Sequence, residues 1–320
     1  MNTPFPRLWL APMAGYTDSA MRALSHKMGA EATVSEMISA KAVTYRDKKT
    51  VALGAIKEGE GPVLLQLFGK EPSVMAEAAG MLSAGYCGSI PFGIDVNMGC
   101  PVPKIAGNGE GSALLRSPEL CERIVSAMRA AMPKDMPLTC KLRLGYTDTY
   151  TVKEVAAACV SGGASALFVH GRTRPMMYAG EADWEAIAAV RASVPLPLIG
   201  NGDITSGALA ARRLSKSGCY GLMVGRGAVG NPFLFREIRA HLMGEEPPAP
   251  PTPRERAEMA LAHLAAAIRD KGEALAVREC RKQIAAYLRA LPGAAALRHA
   301  VMSAVTYREI EALLAEWLRG

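Results

Sequence analysis

Eight short apolar runs recur along the chain, at 9–12, 33–36, 63–67, 94–97, 139–142, 167–170, 198–201 and 222–225. Most stay apolar almost to their end and then meet Gly, Asn, Lys, His or another polar residue. Between them lie Ala-rich segments, such as 117–132 and 152–161, whose apolar residues return at helical spacing. Short strands alternating with amphipathic helices predict βα units on a parallel sheet. Eight such units within about 240 residues match the count and length of a (β/α)8 TIM barrel. An open doubly wound sheet is the alternative, but it does not require eight units of such even spacing.

The pattern changes after residue 243. Residues 244–251 read Gly-Glu-Glu-Pro-Pro-Ala-Pro-Pro, which suits neither helix nor strand and predicts a stiff linker. Thr252-Pro253-Arg254-Glu255 then carries the Ser/Thr-x-x-Glu capping pattern with Pro at the first helical position. Thr306-Tyr307-Arg308-Glu309 repeats that pattern before a final amphipathic helix expected to end at Gly320, and 274–291 reads as helix up to Pro292-Gly293. The expected architecture is therefore a barrel over 1–243, a linker over 244–251 and a small all-helical domain over 252–320. Arg278, Arg281, Lys282 and Arg289 fall on one face of a helix in that domain. Such a face is either solvated and paired with neighbours such as Glu279, or a track for phosphates.

Composition narrows the class. Half of the 320 residues are hydrophobic but only 6% are aromatic, which suits close packing of small side chains against a parallel sheet. The net charge of +7 is compatible with ordinary solubility or with a polyanionic partner. Seven cysteines stand at 87, 100, 121, 140, 159, 219 and 280, with no C-x-x-C pair. Neither a disulfide framework nor a zinc site follows, no metal is expected, and the reading is a reducing, cytoplasmic setting. Residues 1–10 lack the pattern of a signal peptide, and no run of 18 apolar residues suggests a membrane span.

Candidate chemistry gathers at the ends of the predicted strands. In a barrel, residues at the carboxyl ends of the strands line the active face. Ile94-Asp95-Val96-Asn97-Met98-Gly99-Cys100-Pro101 puts an amide and a thiol there. Lys141 and His170 end the fifth and sixth runs and should face the same mouth as Cys100, and Gln66 ends near the same level. A lysine inside an apolar strand calls for an anionic partner, such as the N1–C2=O edge of a reduced flavin. Gly200-Asn201-Gly202-Asp203 and Gly225-Arg226-Gly227 follow the last two strands, where barrels often hold a phosphate. Gly225 to Gly230 also fits G-x-G-x-x-G, but it follows the last strand instead of the first, which makes it a poor dinucleotide fingerprint. Cys100 could act as a nucleophile activated by His170, as a proton donor, or as a small buried apolar group.

With these motifs assembled, the chain resembles the tRNA-dihydrouridine synthase family over essentially its whole length. The stretches that carry the likeness are 10–15 (LAPMAG), 66–69 (QLFG), 97–101 (NMGCP), 111–115 (GSALL), 141–143 (KLR), 170–173 (HGRT), 201–203 (NGD) and 225–226 (GR), in that order. The resemblance implies an FMN enzyme that uses NADPH (or NADH) to reduce the C5–C6 double bond of particular uridines in tRNA; a monomer is the separate expectation for its assembly, which the sequence itself does not encode legibly. By that analogy the flavin passes hydride to uracil C6 while Cys100 protonates C5. Pro12, Met13 and Ala14 would line the ring, and Gln66, Lys141 and His170 would hold its polar edge. Asn201, Gly202, Asp203, Gly225 and Arg226 would hold ribityl and phosphate. Asn97 would face the uracil, Lys104 and Arg172 would contact tRNA, and Tyr178 would meet the base. Arg278, Arg281 and Lys282 would grip the tRNA.

Two departures stand out. The family often shows Arg-Lys-His-x-x-Trp-Tyr in the tail helix, whereas residues 281–287 here read Arg-Lys-Gln-Ile-Ala-Ala-Tyr. Gly200 replaces the Ala that many members place before the Asn-Gly pair, a minor change expected in a tight turn. Competing readings are a flavoprotein acting on a free pyrimidine and a non-catalytic RNA-binding protein with a relic flavin.

Overall fold

The computed structural model describes residues 5–319; Met1 to Pro4, where the signal-peptide reading begins, and Gly320, the expected helix end, lie outside the described residues. Eight strands form a closed barrel in sequence order: β1 (Leu8–Leu10), β2 (Ala32–Ser39), β3 (Val63–Phe68), β4 (Gly93–Met98), β5 (Leu138–Arg143), β6 (Ala166–His170), β7 (Leu198–Asn201) and β8 (Gly221–Val224). Every pairing is parallel, and β1 closes on β8 with Trp9 opposite Met223. Helices follow the strands, among them Pro118–Ala131 and Val152–Ser161, where the sequence periodicity places them. β2 runs past the expected end at Glu36 to Ser39, with a register shift between Val34 and Met37.

Alternation along each strand sorts the side chains into two cores. On β4, Ile94, Val96 and Met98 pack outward among the helices, together with Leu65, Leu67, Leu138 and Leu142. Inward-facing Trp9, Val34, Leu64, Phe168, Ile199 and Met223 fill the barrel as a separate apolar cluster. The next inward positions towards the carboxyl ends are polar: Gln66, Asn97, Lys141, His170 and Asn201. The barrel is thus plugged below and chemically dressed above.

Four further helices follow, at Pro253–Lys271, Glu273–Tyr287, Ala294–Ser303 and Tyr307–Trp317. Residues 245–251 form no helix or strand, as their prolines dictate. Thr252 and Glu255 make both halves of the capping box. At Thr306 only half forms: the hydroxyl accepts from Glu309 N, but the Glu309 carboxylate takes the N–H of Val305 instead of Thr306. The second helix stops at Tyr287, short of the expected Leu291; Ala290 lies at φ 58°, and Leu291 precedes a proline that disfavours helix. Leu264, Val277, Ile284, Tyr287, Leu297 and Ile310 share a core with Ala20 of the barrel. Lys271 Nζ bonds Asp18 Oδ2 at 3.0 Å, and Gln283 Nε2 donates to the Tyr16 carbonyl at 3.1 Å. Gly230 lies so close to the backbone of Ala286 and Tyr287 that a Cβ would collide with it.

Gly200 sits within β7 and not in a turn, and the space its Cβ would occupy holds the ring of Trp184. The indole Nε1 donates to the Gly202 carbonyl at 3.0 Å, which ties this departure from the family pattern to the loop beyond it.

Candidate active site

A cleft of about 420 Å³ opens at the carboxyl ends of the strands, within the size range of small-molecule sites. Pro12, Met13, Ala14, Gln66, Asn97, Cys100, Lys141, His170, Tyr178, Asn201, Gly202, Asp203, Gly225 and Arg226 all line it. Eight separate segments of the chain converge there because each follows or ends a strand of one barrel.

Cys100 follows β4 and is 9% exposed. Its backbone N–H donates to Asn97 Oδ1 at 2.9 Å, and Gly99 N–H shares that oxygen at 3.2 Å. Burial raises the thiol above its ordinary pKa; the Val102 N–H, Arg143 and Lys141 oppose that rise without overcoming it. A protonated thiol at neutral pH suits proton donation better than nucleophilic attack. Burial and the surrounding Lys141, Arg143, Arg172 and Arg226 push His170 well below its usual value, so the ring is neutral. Arg172 Nη1, which can only donate, lies 3.4 Å from His170 Nε2; Nε2 is then the acceptor and Nδ1 carries the proton. A neutral ring that already accepts from an arginine is poorly placed to activate a thiol.

Burial and Arg143 lower the Lys141 ammonium to about 8, with Asp95 pulling the other way. Its hydrogen-bond partner in the chain is Asn201 Oδ1 at 3.3 Å, which leaves two of its three donors for a ligand. Asn201 is held in turn by its Nδ2, which donates to the Met223 carbonyl at 2.7 Å. The donor set suits the electronegative edge of a flavin: free N–H groups on Lys141, a donor on His170 Nδ1, and a surplus of cationic charge around them.

Other expected site residues are placed differently. Arg172 is 1% exposed, and its guanidinium is spent on Asp203, His170 and the Ala179 and Gly180 carbonyls. These bonds brace the loop after β7, whereas the sequence reading placed this guanidinium against tRNA. Asp203 also takes Arg226 at 3.1 Å and the Ala182 N–H at 2.8 Å. Burial works to raise its carboxyl, but these partners outweigh it and hold it below the usual range. Its side chain is thus engaged within the chain, and the Gly202-Asp203 backbone is what remains for a ligand. Gln66 and Asn97 are likewise tied to chain partners, each retaining one amide proton. Lys104 is exposed on the short helix Pro103–Ala106, and Tyr178 is 53% exposed with Arg143 and Arg226 near its ring. In the tail, Arg278 and Lys282 are exposed, whereas Arg281 is half-buried and donates to the Ala304 carbonyl at 2.8 Å.

Sequence reasoning assigned no role to Arg143. Its Nε donates to the Gly99 carbonyl at 2.9 Å and its Nη1 to the Thr173 and Met177 carbonyls, so it joins the Cys100 loop to the Tyr178 loop. Its sign in the sequence was the Lys-x-Arg alternation, which puts both side chains inside the barrel.

These features define a barrel enzyme whose mouth gathers cationic side chains and a buried thiol in one cleft. The dihydrouridine synthase (Dus) family model matches residues 9–318. A protein of Rhodobacter capsulatus named "Probable tRNA-dihydrouridine synthase" is 40% identical over 301 residues, covering 93% of this chain and 90% of its own length. The tRNA-dihydrouridine synthase B of Pseudomonas aeruginosa is 40% identical over 298 residues, covering 91% of this chain and 86% of its own. The chain belongs to the dihydrouridine synthase family. Among solved structures, histamine dehydrogenase from Rhizobium sp. 4-9 matches with a TM-score of 0.56 at 13% identity, covering 81% of this chain and 48% of that one. The old yellow enzyme homologue from Zymomonas mobilis matches with a TM-score of 0.52 at 14% identity, covering 78% and 94%. At such identities the likeness is one of fold. No helix among the described residues is long and apolar enough to cross a membrane.

Proposed function

We propose that the protein is a tRNA-dihydrouridine synthase that binds FMN in the barrel mouth and reduces the C5–C6 double bond of uridines in tRNA. The observation that carries this reading is the convergence of the Cys100 thiol with Lys141 and His170 in one cleft. Bound there, FMN reduced by NADPH (or NADH) supplies the hydride for uracil C6. Cys100 gives the proton to C5, so that one hydride and one proton saturate the ring. Lys141 and His170 hold the polar edge of the cofactor, with Gln66 offering its remaining amide proton. Pro12, Met13 and Ala14 present backbone along the ring system, while Asn201, Gly202, Gly225 and Arg226 take the ribityl and phosphate. Asn97 offers its remaining Nδ2 proton to the uracil, and the exposed Tyr178, which also lines the cleft, meets the base.

A uridine reaches such a cleft only when splayed out of the folded tRNA. Residues 252–320 then serve as a tRNA-binding domain joined by the linker 244–251, with Arg278 and Lys282 facing phosphates. Lys104 adds a charge near the mouth. A free pyrimidine would need neither the helical tail nor its charges.

The test is anaerobic. Protein reconstituted with FMN and bleached by NADPH should reoxidise on addition of tRNA that lacks dihydrouridine, with one dihydrouridine formed per flavin. Uridine monophosphate at the same concentration should leave it reduced. Equal turnover on the free nucleotide, or reoxidation by tRNA without dihydrouridine, would overturn the proposal.

A further inference from the structure

Beneath the cleft lies a group that the proposed reaction does not use. Asp95 faces the barrel interior from β4 and is fully buried. Its Oδ1 accepts from Thr139 Oγ1 at 2.6 Å and its Oδ2 from Gln66 Nε2 at 2.8 Å. Gln66 Oε1 accepts from Asn97 Nδ2 at 2.8 Å. Asn97 Oδ1 accepts the backbone N–H groups of Gly99 and Cys100. Thr139, Asp95, Gln66 and Asn97, on three neighbouring strands, thus form one chain of hydrogen bonds from within the barrel to the thiol loop.

The two ends of that chain have fixed polarity. Backbone N–H groups can only donate, and a carboxylate can only accept. An amide has nearly the same shape either way round, so its partners alone decide which atom faces which. Turned over, Asn97 would aim an N–H at two N–H groups in a dry site and leave all of them unmet. With the amides as they stand, every link runs donor to acceptor. Burial lifts the Asp95 carboxyl to about 7, against the pull of Thr139, Gln66 and Lys141. Protonation leaves the link to Gln66 intact: the proton stays on Oδ1 and is donated to a Thr139 hydroxyl turned to accept, while Oδ2 still accepts from Gln66.

We infer that Asp95 is a positioning residue: by accepting from Gln66 it keeps the Gln66 and Asn97 amides in register and so fixes the loop that carries Cys100. That the loop delivers an acid rests on the proposed reaction; that Asp95 holds the loop does not.

Three variants separate this role from a general contribution to stability. Asp95→Leu breaks the link to Gln66. Asp95→Asn keeps it, because Oδ1 can accept from Gln66 while Nδ2 donates to a Thr139 hydroxyl turned to accept. Thr139→Val removes the other donor to Asp95 and leaves Gln66 in place. Two quantities are read: kcat for dihydrouridine formation, and the rate at which iodoacetamide alkylates Cys100 in the flavin-loaded protein without tRNA, followed by peptide mass spectrometry. Asp95→Leu should lower kcat at least about 30-fold with KM for tRNA within about threefold, the pattern of an interaction made only in the transition state. It should also change the alkylation rate at least about fivefold. Asp95→Asn and Thr139→Val should each stay within about threefold on both, even where Thr139→Val lowers Tm. If Asp95→Leu does not fold, Asp95→Ser, too short to meet Gln66, takes its place with the same expectation. An Asp95→Leu or Asp95→Ser protein with native alkylation and kcat, or effects in all variants that simply track Tm, would overturn the inference. Alkylation needs no turnover, so the result stands apart from the fate of the proposed reaction.

Discussion

Lys282 Nζ lies 4.3 Å from the centroid of the Tyr16 ring, so a charge on the second tail helix stands at the loop that follows the first barrel strand. The two residues are far apart in sequence, yet they bring the tail against the loop whose Pro12, Met13 and Ala14 line the cleft. A cation over an aromatic face remains solvated and available to a phosphate on its open side.

Reversing charge at Arg278 and Lys282 should raise KM for tRNA about tenfold or more at moderate salt. It should also flatten the dependence of binding on salt, by roughly one unit of slope for each phosphate left unneutralised. Arg281→Glu should behave differently: its guanidinium holds the Ala304 carbonyl, so Tm should fall. Filter binding across a salt series and thermal melts make the distinction; unchanged salt dependence in the first variant would leave that face merely solvated.

Cys100→Ala should keep the flavin and its bleaching by NADPH but lose dihydrouridine formation by about 10²–10⁴, the usual worth of a positioned general acid. Because burial raises the thiol, the part of the wild-type rate that depends on Cys100 should fall only above the ordinary cysteine value. Product formation by mass spectrometry across pH 6–10 checks both statements.

Lys141→Ala should purify with much less flavin than wild type, read from the absorbance of the yellow protein. Lys141→Arg should not restore it fully, since a planar fork cannot take the place of a compact ammonium beside Asn201.

The seam between barrel and tail should weaken in acid. Burial disfavours the Asp18 charge, but His263, Lys271 and the Met21 N–H outweigh it and hold the carboxyl far below the usual range. A depressed folded-state pKa gives stability that is present above the unfolded value near 3.9 and is lost as pH falls below it. Thermal melts from pH 7 to pH 3 should show a steep loss below about pH 4 that Asp18→Asn flattens, its Tm already being lower at pH 7.

The strands were legible because a barrel strand must end where its apolar run meets polar residues, and Lys141, His170 and Asn201 mark such ends. The same marks gathered the residues that line the cleft. What sequence could not supply was register. Asp95 reads as one polar residue in an apolar run; only pairing sets it beside Gln66 on one side and Thr139 on the other. Arg172 is a related case: nothing in its neighbourhood announces that Asp203, on the following strand's loop, engages its charge. Gly200 looked like turn chemistry, and its cause, the Trp184 ring, comes from the preceding helix.

The bonds from Gln283 to Tyr16 and from Lys271 to Asp18 have a consequence for selectivity. They set a fixed span between the exposed Arg278 and Lys282 of the tail and the thiol. Under the proposed function that span works as a ruler, and the nucleotide offered to Cys100 is the one lying its length away from the gripped backbone. Retargeting the enzyme to another position then calls for rebuilding this hinge line while the catalytic mouth stays as it is.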